Sequence, residues 1–266
     1  MSRSQPIIRW AGSKRKILSV LKLNIPEQYN RYVEPFCGSA SLFFEQESDQ
    51  ALLADINGEL INAFEQIKTN ENIRSLVTSI PNTQNKYYEL RSLNPKKMDK
   101  IDRAVRFLYL NRYCFNGVYR TNMRGDFNVP RGTRTGDFPS QQVFNNIRNK
   151  LQSAQLIVSD YKNTLQQLNE GDFVYMDPPY TKSGKNTGEY GLGSFNSNNL
   201  PELLHHLDKL NKDKIKFLLS YRACDATIKA LSDKYNVQSI SVKRHISGFK
   251  TTWDDATEIL VKNYDR

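Results

Sequence analysis

Short runs rich in β-branched and aromatic residues alternate along most of this chain with amphipathic stretches whose apolar residues recur three and four positions apart. Few folds accept that order. Strand, helix, strand repeated many times makes a mostly parallel sheet covered by helices on both faces. The runs place strands at 32–36, 51–55, 156–160, 172–176, 216–221, 237–245 and 258–264. Ser13 is placed to cap a helix carrying Ile17, Leu18 and Leu21, and Asn57 to cap another carrying Leu60, Ile61 and Phe64. The predicted fold is α/β, a doubly wound, mostly parallel seven-stranded sheet. The alternation lapses between about 70 and 150, where helix-like segments around Leu90 and at 104–110 lead into a Gly- and Arg-rich loop at 116–137. The reading is a smaller, mainly helical domain at 57–150, inserted into a main domain made of 1–56 and 151–266.

Charge singles out the same insertion. The 266 residues carry a formal net charge of +10. Residues 91–150 hold 13 Lys and Arg against 4 Asp, so nearly the whole excess sits in that window. A field concentrated this way suits a polyphosphate, because each neutralised phosphate releases condensed counterions. The alternative is a solvated basic face. Composition excludes wholesale disorder, collagen, coiled coil and a disulfide framework. There is neither an apolar run of about 18 residues nor a signal-peptide pattern, so a cytoplasmic protein without membrane attachment is expected. Cys37, Cys114 and Cys224 are too scattered for a metal clamp and read as reduced thiols. His205 and His206, adjacent on a helix pattern, point about 100° apart, and His245 stands alone, so no metal site is expected.

The sharpest local signal is Asp177-Pro178-Pro179-Tyr180, directly after the strand-like 172–176. Two prolines fix the backbone and remove two N–H donors, leaving carbonyls at a strand end as acceptors. In open α/β sheets ligands sit outside the carboxyl ends of strands. Asp177, the Pro178 carbonyl and the Tyr180 ring can together hold an exocyclic amino group on a flat ring. A merely rigid turn is the competing reading.

Three other stretches carry chemistry. In the run Glu34-Pro-Phe-Cys-Gly38-Ser-Ala40, a strand passes through small residues into a helix, which lets a ligand approach the backbone. It is not a GxGxxG run, so a dinucleotide site is poorly supported. Asp55, ending the next strand, can accept from two ribose hydroxyls or cap a helix. Arg9-Trp10-Ala-Gly-Ser-Lys14 can pack beside a cofactor carboxylate, or can be a core Trp and a surface Lys. In 111–130, arginines interleave with Tyr113, Tyr119, Asn116 and Asn122, the side-chain types that meet base edges or wedge into a stack.

Taken together and in this order, W-A-G-S-K, E-P-F-C-G, A-D-I-N, L-N-R-Y-C-F-N-G-V-Y-R, R-G-D-F-N-V-P and G-D-F-V-Y-M-D-P-P-Y resemble the Dam-like (D12 class, alpha group) DNA adenine-N6 methyltransferases. The resemblance runs on to Glu258-Ile-Leu-Val and so spans nearly the whole chain. It implies a class I methyltransferase fold, Rossmann-like, and S-adenosyl-L-methionine as methyl donor. Trp10 and Lys14 would hold the methionine end of that donor, with the turn Phe36–Gly38 beneath it. Asp55 would bind its ribose, Asp160 would lie near its adenine, and Asp177 would border it. Asp177, Pro178 and Tyr180 would hold the target adenine, flipped out of double-stranded DNA, and the insertion would recognise the site. Ser13 and Ala40 stand where family members often carry Gly. The run 131–138 also departs from the family's usual one, so the target sequence stays open, GATC among the candidates.

The expected chemistry is direct methyl transfer without a metal. Accepting both amino hydrogens, at Asp177 and Pro178, localises the N6 lone pair toward the methyl group. Arg9 and Arg124 are expected to read guanines, with Tyr119 and Asn122 near the vacancy left by the extruded base. Arg131 and Arg134 are expected at the backbone or bases, and Asn116 and Arg120 complete the DNA-facing set. A monomer is expected, with a cognate restriction endonuclease as candidate partner. Rival readings are an N4-cytosine or RNA adenine methyltransferase, and a DNA-binding protein that performs no methylation.

Overall fold

A computed structural model describes residues 7–133, 135–179, 200–222, 225–243 and 255–265. Its centre is a seven-stranded sheet formed by β1 (Arg31–Glu34), β2 (Ala51–Asp55), β3 (Ala154–Val158), β4 (Asp172–Met176), β5 (Lys216–Arg222), β6 (Asn236–Lys243) and β7 (Asp255–Lys262), in the order β3-β2-β1-β4-β5-β7-β6. The first five strands run parallel, and β7 inserts antiparallel between β5 and β6. This is the doubly wound, mostly parallel α/β sheet expected. Its strand order reverses between β1 and β4, which makes a crevice at their carboxyl ends.

Strand ends differ from expectation for local reasons. β1 stops at Glu34 because Pro35 cannot donate to a ladder. β3 spans Ala154–Val158 rather than 156–160, and Asp160 instead caps the following helix, its Oδ1 accepting from Lys162 N–H at 2.9 Å. β7 starts earlier than expected because it pairs with β6 along its whole length, from Asp255↔Lys243 to Lys262↔Asn236.

Both faces of the sheet are covered, and neighbouring strand residues point to opposite sides. Tyr32, Leu53, Phe173, Tyr175 and Leu218 join one core. Val33, Leu52, Val174, Met176, Phe217 and Leu219 join the other. The second core is closed by α8 (Tyr161–Leu165), α9 (Leu200–Lys212) and α10 (Asp225–Ser232), through Leu165, Leu203, Leu207 and Leu231. The first core takes α1 (Leu18–Leu23) and α2 (Ser41–Glu45) near the amino terminus.

Five helices lie between β2 and β3: α3 (Gly58–Thr69), α4 (Ile73–Thr78), α5 (Gln84–Ser92), α6 (Lys100–Tyr113) and α7 (Gln141–Leu151). Asn57 caps α3 as expected, its Oδ1 accepting from Glu59 and Leu60 N–H at 3.1 and 3.2 Å. α3 carries Leu60, Ile61, Phe64 and Ile67 inward and packs on β2, β3, α6 and α7. Ser13 does not cap a helix. A 3₁₀ turn at Lys14–Lys16 precedes α1, and the Ser13 hydroxyl lies 3.0 Å from that of Ser41.

Candidate active site

The carboxyl ends of β1, β2 and β4 converge with the amino-terminal segment. Cys37 N–H donates to the Ala54 carbonyl at 2.9 Å, and Gly38 N–H donates to Asp55 Oδ2 at 3.0 Å. Asn57 N–H donates to Asp55 Oδ1 at 2.9 Å. Asp55 thus ties the turn after β1 to the start of α3, while Asn57 does the capping. Burial raises the Asp55 carboxyl to about 6, and these two backbone donors pull against the rise. Gly38 has φ +47°, and a Cβ there would sit 2.8 Å from the Trp10 ring, so only glycine lets Trp10 lie over this turn. Phe36 packs its ring on Tyr161 of α8, centroids 4.9 Å apart. Beside the turn, Ile56 and Val158 are 40 % and 59 % exposed, an apolar lip beyond β2 and β3 near Asp160.

Trp10 and Lys14 are carried in by α6. Asn111 Nδ2 donates to the Arg9 carbonyl at 2.7 Å while Arg9 N–H donates back to Asn111 Oδ1 at 2.8 Å, a two-way amide lock. Trp10 stacks on Tyr119, with ring centroids 5.7 Å apart and planes inclined 23°. Lys14 is buried, and its Nζ lies 2.7 Å from Asp177 Oδ1 and 3.8 Å from Glu258 Oε2. The Ser220 hydroxyl donates to Asp177 Oδ1 at 3.0 Å. Burial raises the Asp177 carboxyl above its ordinary range, and the Lys14 ammonium and Ser220 hydroxyl hold the rise back. On β1, Glu34 Oε1 accepts from Tyr32 hydroxyl at 2.5 Å and Phe43 N–H at 3.1 Å. Its carboxyl is pushed up to about 8 by burial, with Asp177 adding to the rise.

Among the described residues, three acidic side chains, Glu34, Asp177 and Glu258, therefore share this crevice with Lys14. Sequence reasoning had assigned no role to Glu34, Glu258 or Ser220. Their signal was visible: each is a polar residue inside an otherwise apolar strand run, YVEPF, TEILV and FLLSY.

The DNA-facing candidates gather elsewhere, after α6. Thr121 and Phe127 pair across a hairpin whose tip is tied by Asn122: its Oδ1 accepts from Arg124 N–H at 2.9 Å and Asp126 N–H at 3.0 Å. Asn122 is thus occupied by its own turn. The tip presents Met123, 93 % exposed, and the exposed Arg124. Arg120 Nε donates to Asn128 Oδ1 at 2.9 Å, and Arg131 Nη2 donates to Asn82 Oδ1 at 3.0 Å. Tyr119 packs inward against Trp10, Phe107 and Phe127. Asn116 is exposed with φ +53°, next to Phe115, which is 51 % exposed. Arg9 Nη1 donates to the Arg112 carbonyl at 3.1 Å, and among the described residues no carboxylate pairs with either arginine. Tyr180, Arg134, Cys224 and His245 lie outside the described residues; Cys37 and Cys114 are buried free thiols.

Comparison with known proteins identifies the family. Residues 10–246 match the family model of the D12 class N6 adenine-specific DNA methyltransferases. The chain is 30 % identical to the Type II methyltransferase M1.LlaDCHI of Lactococcus lactis subsp. cremoris, over 98 % of this chain and 95 % of that protein. It is 31 % identical to the DNA adenine methylase of Escherichia coli strain K12, again over 98 % and 95 %. Against Type II methyltransferase M.MjaIII of Methanocaldococcus jannaschii it is 28 % identical, over 98 % and 99 %. The family match spans most of the chain, and by it the chain belongs to the D12 class of N6 adenine-specific DNA methyltransferases.

Proposed function

We propose that this adenine-N6 DNA methyltransferase takes its methyl group from S-adenosylmethionine and delivers it to an adenine flipped out of the duplex against Asp177. The observation that carries this reading is the Asp177 carboxylate, held at the switch point of the sheet by Lys14 at 2.7 Å and Ser220 at 3.0 Å. The residues present fit the donor. Among the described residues Asp177 and Glu258 flank Lys14, and two carboxylates against one ammonium favour a cationic ligand. Asp55 offers carboxylate oxygens to a ribose, and Ile56 and Val158 offer apolar surface to a flat heterocycle. When bound, the sulfonium supplies an electrophilic methyl carbon.

The chain's own residues do the rest. Asp177 and the Pro178 carbonyl accept the two amino hydrogens, which turns the N6 lone pair out of conjugation, and Tyr180 stacks on the base. Asp177 does not deprotonate the amino group before attack, because a carboxylate is far too weak a base; the proton leaves after transfer. Trp10 and Lys14 border the donor, and Lys14 also holds Asp177 in place.

Within residues 57–150, α3 and α7 extend the core of the sheet, so recognition falls to the basic surface after α6. The exposed Phe115 and Met123 suit wedges between bases, and Asn116, Arg120, Arg124, Arg131 and Arg134 suit phosphates and base edges. Arg9 and Arg112, side by side and without a salt bridge among the described residues, add to the pull on a polyanion. The enzyme acts as a monomer, and a cognate restriction endonuclease is its candidate partner.

Nucleoside analysis of DNA and of RNA, each incubated with the chain and labelled S-adenosylmethionine, tests the reading. N6-methyladenine in DNA is expected, and N4-methylcytosine or label confined to RNA overturns it. Asp177→Ala should lower the rate on the order of 10²- to 10⁴-fold while DNA binding is retained. Full activity in that variant removes Asp177 from the mechanism.

A further inference from the structure

Behind Asp177 runs a buried line of hydroxyls that the reaction as described does not use. Tyr175 and Asp177 sit two residues apart at the end of β4 and so share one side of the strand. β5 lies alongside, with Met176 paired to Leu219, which brings Ser220 level with Asp177. The Ser220 hydroxyl lies 3.1 Å from the Tyr175 hydroxyl and 3.0 Å from Asp177 Oδ1, and both residues are buried. A serine hydroxyl has one proton. A carboxylate can only accept and lies nearer than the Met176 carbonyl, at 3.0 against 3.5 Å, so the Ser220 proton goes to Asp177 and the Tyr175 hydroxyl donates to Ser220. The line therefore has a fixed direction, Tyr175 to Ser220 to Asp177.

Stability alone does not call for a tyrosine behind this serine. Replacing both partners of a buried hydrogen bond by apolar groups of the same shape is close to neutral. On this face of the sheet Leu218 is buried beside the pair, and Glu34 and Glu258 act on Tyr175 together with Asp177. What the line does reach is the carboxylate at the crevice.

We propose that Ser220, oriented by Tyr175, is a positioning residue that fixes the rotation of the Asp177 carboxylate toward the amino group of the target base. The proposal rests on Asp177 being the acceptor of that amino group. Lys14 approaches the same oxygen from the amino-terminal segment, Glu258 lies beyond Lys14 on β7, and Glu34 faces from β1. Lys14 supplies charge on a flexible stem, whereas Ser220 is anchored in the sheet and sets direction. Donation from Ser220 also favours the ionised carboxylate, so its loss should raise the pH at which Asp177 protonates.

The experiment measures kcat, KM for duplex DNA and the pH profile of kcat for Asp177→Ala, Ser220→Ala, Ser220→Thr and Tyr175→Phe. Ser220→Ala is expected to lower kcat about 10- to 100-fold, with KM for DNA within about twofold of the parent. Its acid limb should move to higher pH. Ser220→Thr, which keeps the hydroxyl, should recover most of the rate. Tyr175→Phe, which removes one oxygen and leaves the packing, should shift both readouts the same way by less. An inactive Asp177→Ala beside a fully active Ser220→Ala overturns the positioning role alone. A loss in Ser220→Ala that Thr does not restore and that leaves the acid limb unmoved overturns it too. An active Asp177→Ala overturns the underlying reading, and this inference with it.

Discussion

Glu34 is a carboxyl placed where a carboxylate is costly. It is buried, takes two hydrogen bonds on one oxygen and titrates near 8 instead of its ordinary 4.5. Between those values the folded chain binds more protons than the unfolded one, so stability is greatest below about 4.5 and falls as pH rises toward 8. Asp55, raised to about 6, adds a decline of the same sign over a lower range. Glu34→Gln should flatten the fall of Tm between pH 5 and 8, as measured by thermal unfolding across that range. An unchanged slope would mean that Glu34 is ionised in the fold. Ala40 carries strain of a different kind: it adopts φ +50° as the residue before α2. A left-handed residue with a Cβ costs about 1–2 kcal/mol, and glycine's extra unfolded-state entropy returns about 0.4–1 of that. Ala40→Gly should therefore stabilise the chain by about 0.5–1 kcal/mol in denaturant unfolding. A destabilised variant would show that the buried methyl matters more than the strain.

At the scale of elements, the hairpin after α6 depends on one side chain. Asn122 holds Arg124 and Asp126 by their backbone N–H groups, so the tip keeps its shape while Met123 and Arg124 project. Asn122→Ala should lower global stability by no more than about 1 kcal/mol, because the tip is exposed, yet raise KM for DNA several-fold. Unchanged KM with normal folding would take the tip out of the interface. The same contrast explains why some residues read differently in sequence and in structure. Asn122 and Tyr119 have the chemistry of base contacts, and within the fold they also hold Asp126 and Trp10. Local sequence lists what a side chain can bond; it does not say which bond is already made within the fold.

Over the whole molecule, charge and chemistry are separated. The basic window 91–150 carries nearly all of the excess positive charge, while the crevice at the strand ends gathers acidic groups around Lys14. Affinity for DNA should fall steeply with salt, by a slope of about −0.9 per phosphate neutralised. Arg124→Ala should relax choice at one base pair by about 1–3 kcal/mol and leave that slope nearly intact. Uniform weakening with a slope flattened by about one unit makes Arg124 a phosphate clamp instead. Competition binding on a panel of single-base variants, repeated at several salt concentrations, separates the two outcomes.

The periodicities were enough to specify the sheet, the helical interruption and the strand-end position of Asp177, because each is set by neighbours a few residues away: alternation, caps, prolines and glycines. Ala51–Asp55 and Asp172–Met176 fall where the pattern puts them, and Asn57 caps the helix it precedes. The insertion of β7 between β5 and β6, the lock of Arg9 on Asn111, and the meeting of Lys14, Ser220 and Glu258 at Asp177 are different in kind. The lock on Asn111 and the contacts around Asp177 join residues separated by between 43 and 244 positions, so no local pattern encodes them. They arise only when the strands pair in register and buried polar groups must find partners, which is a condition on the packed chain as a whole.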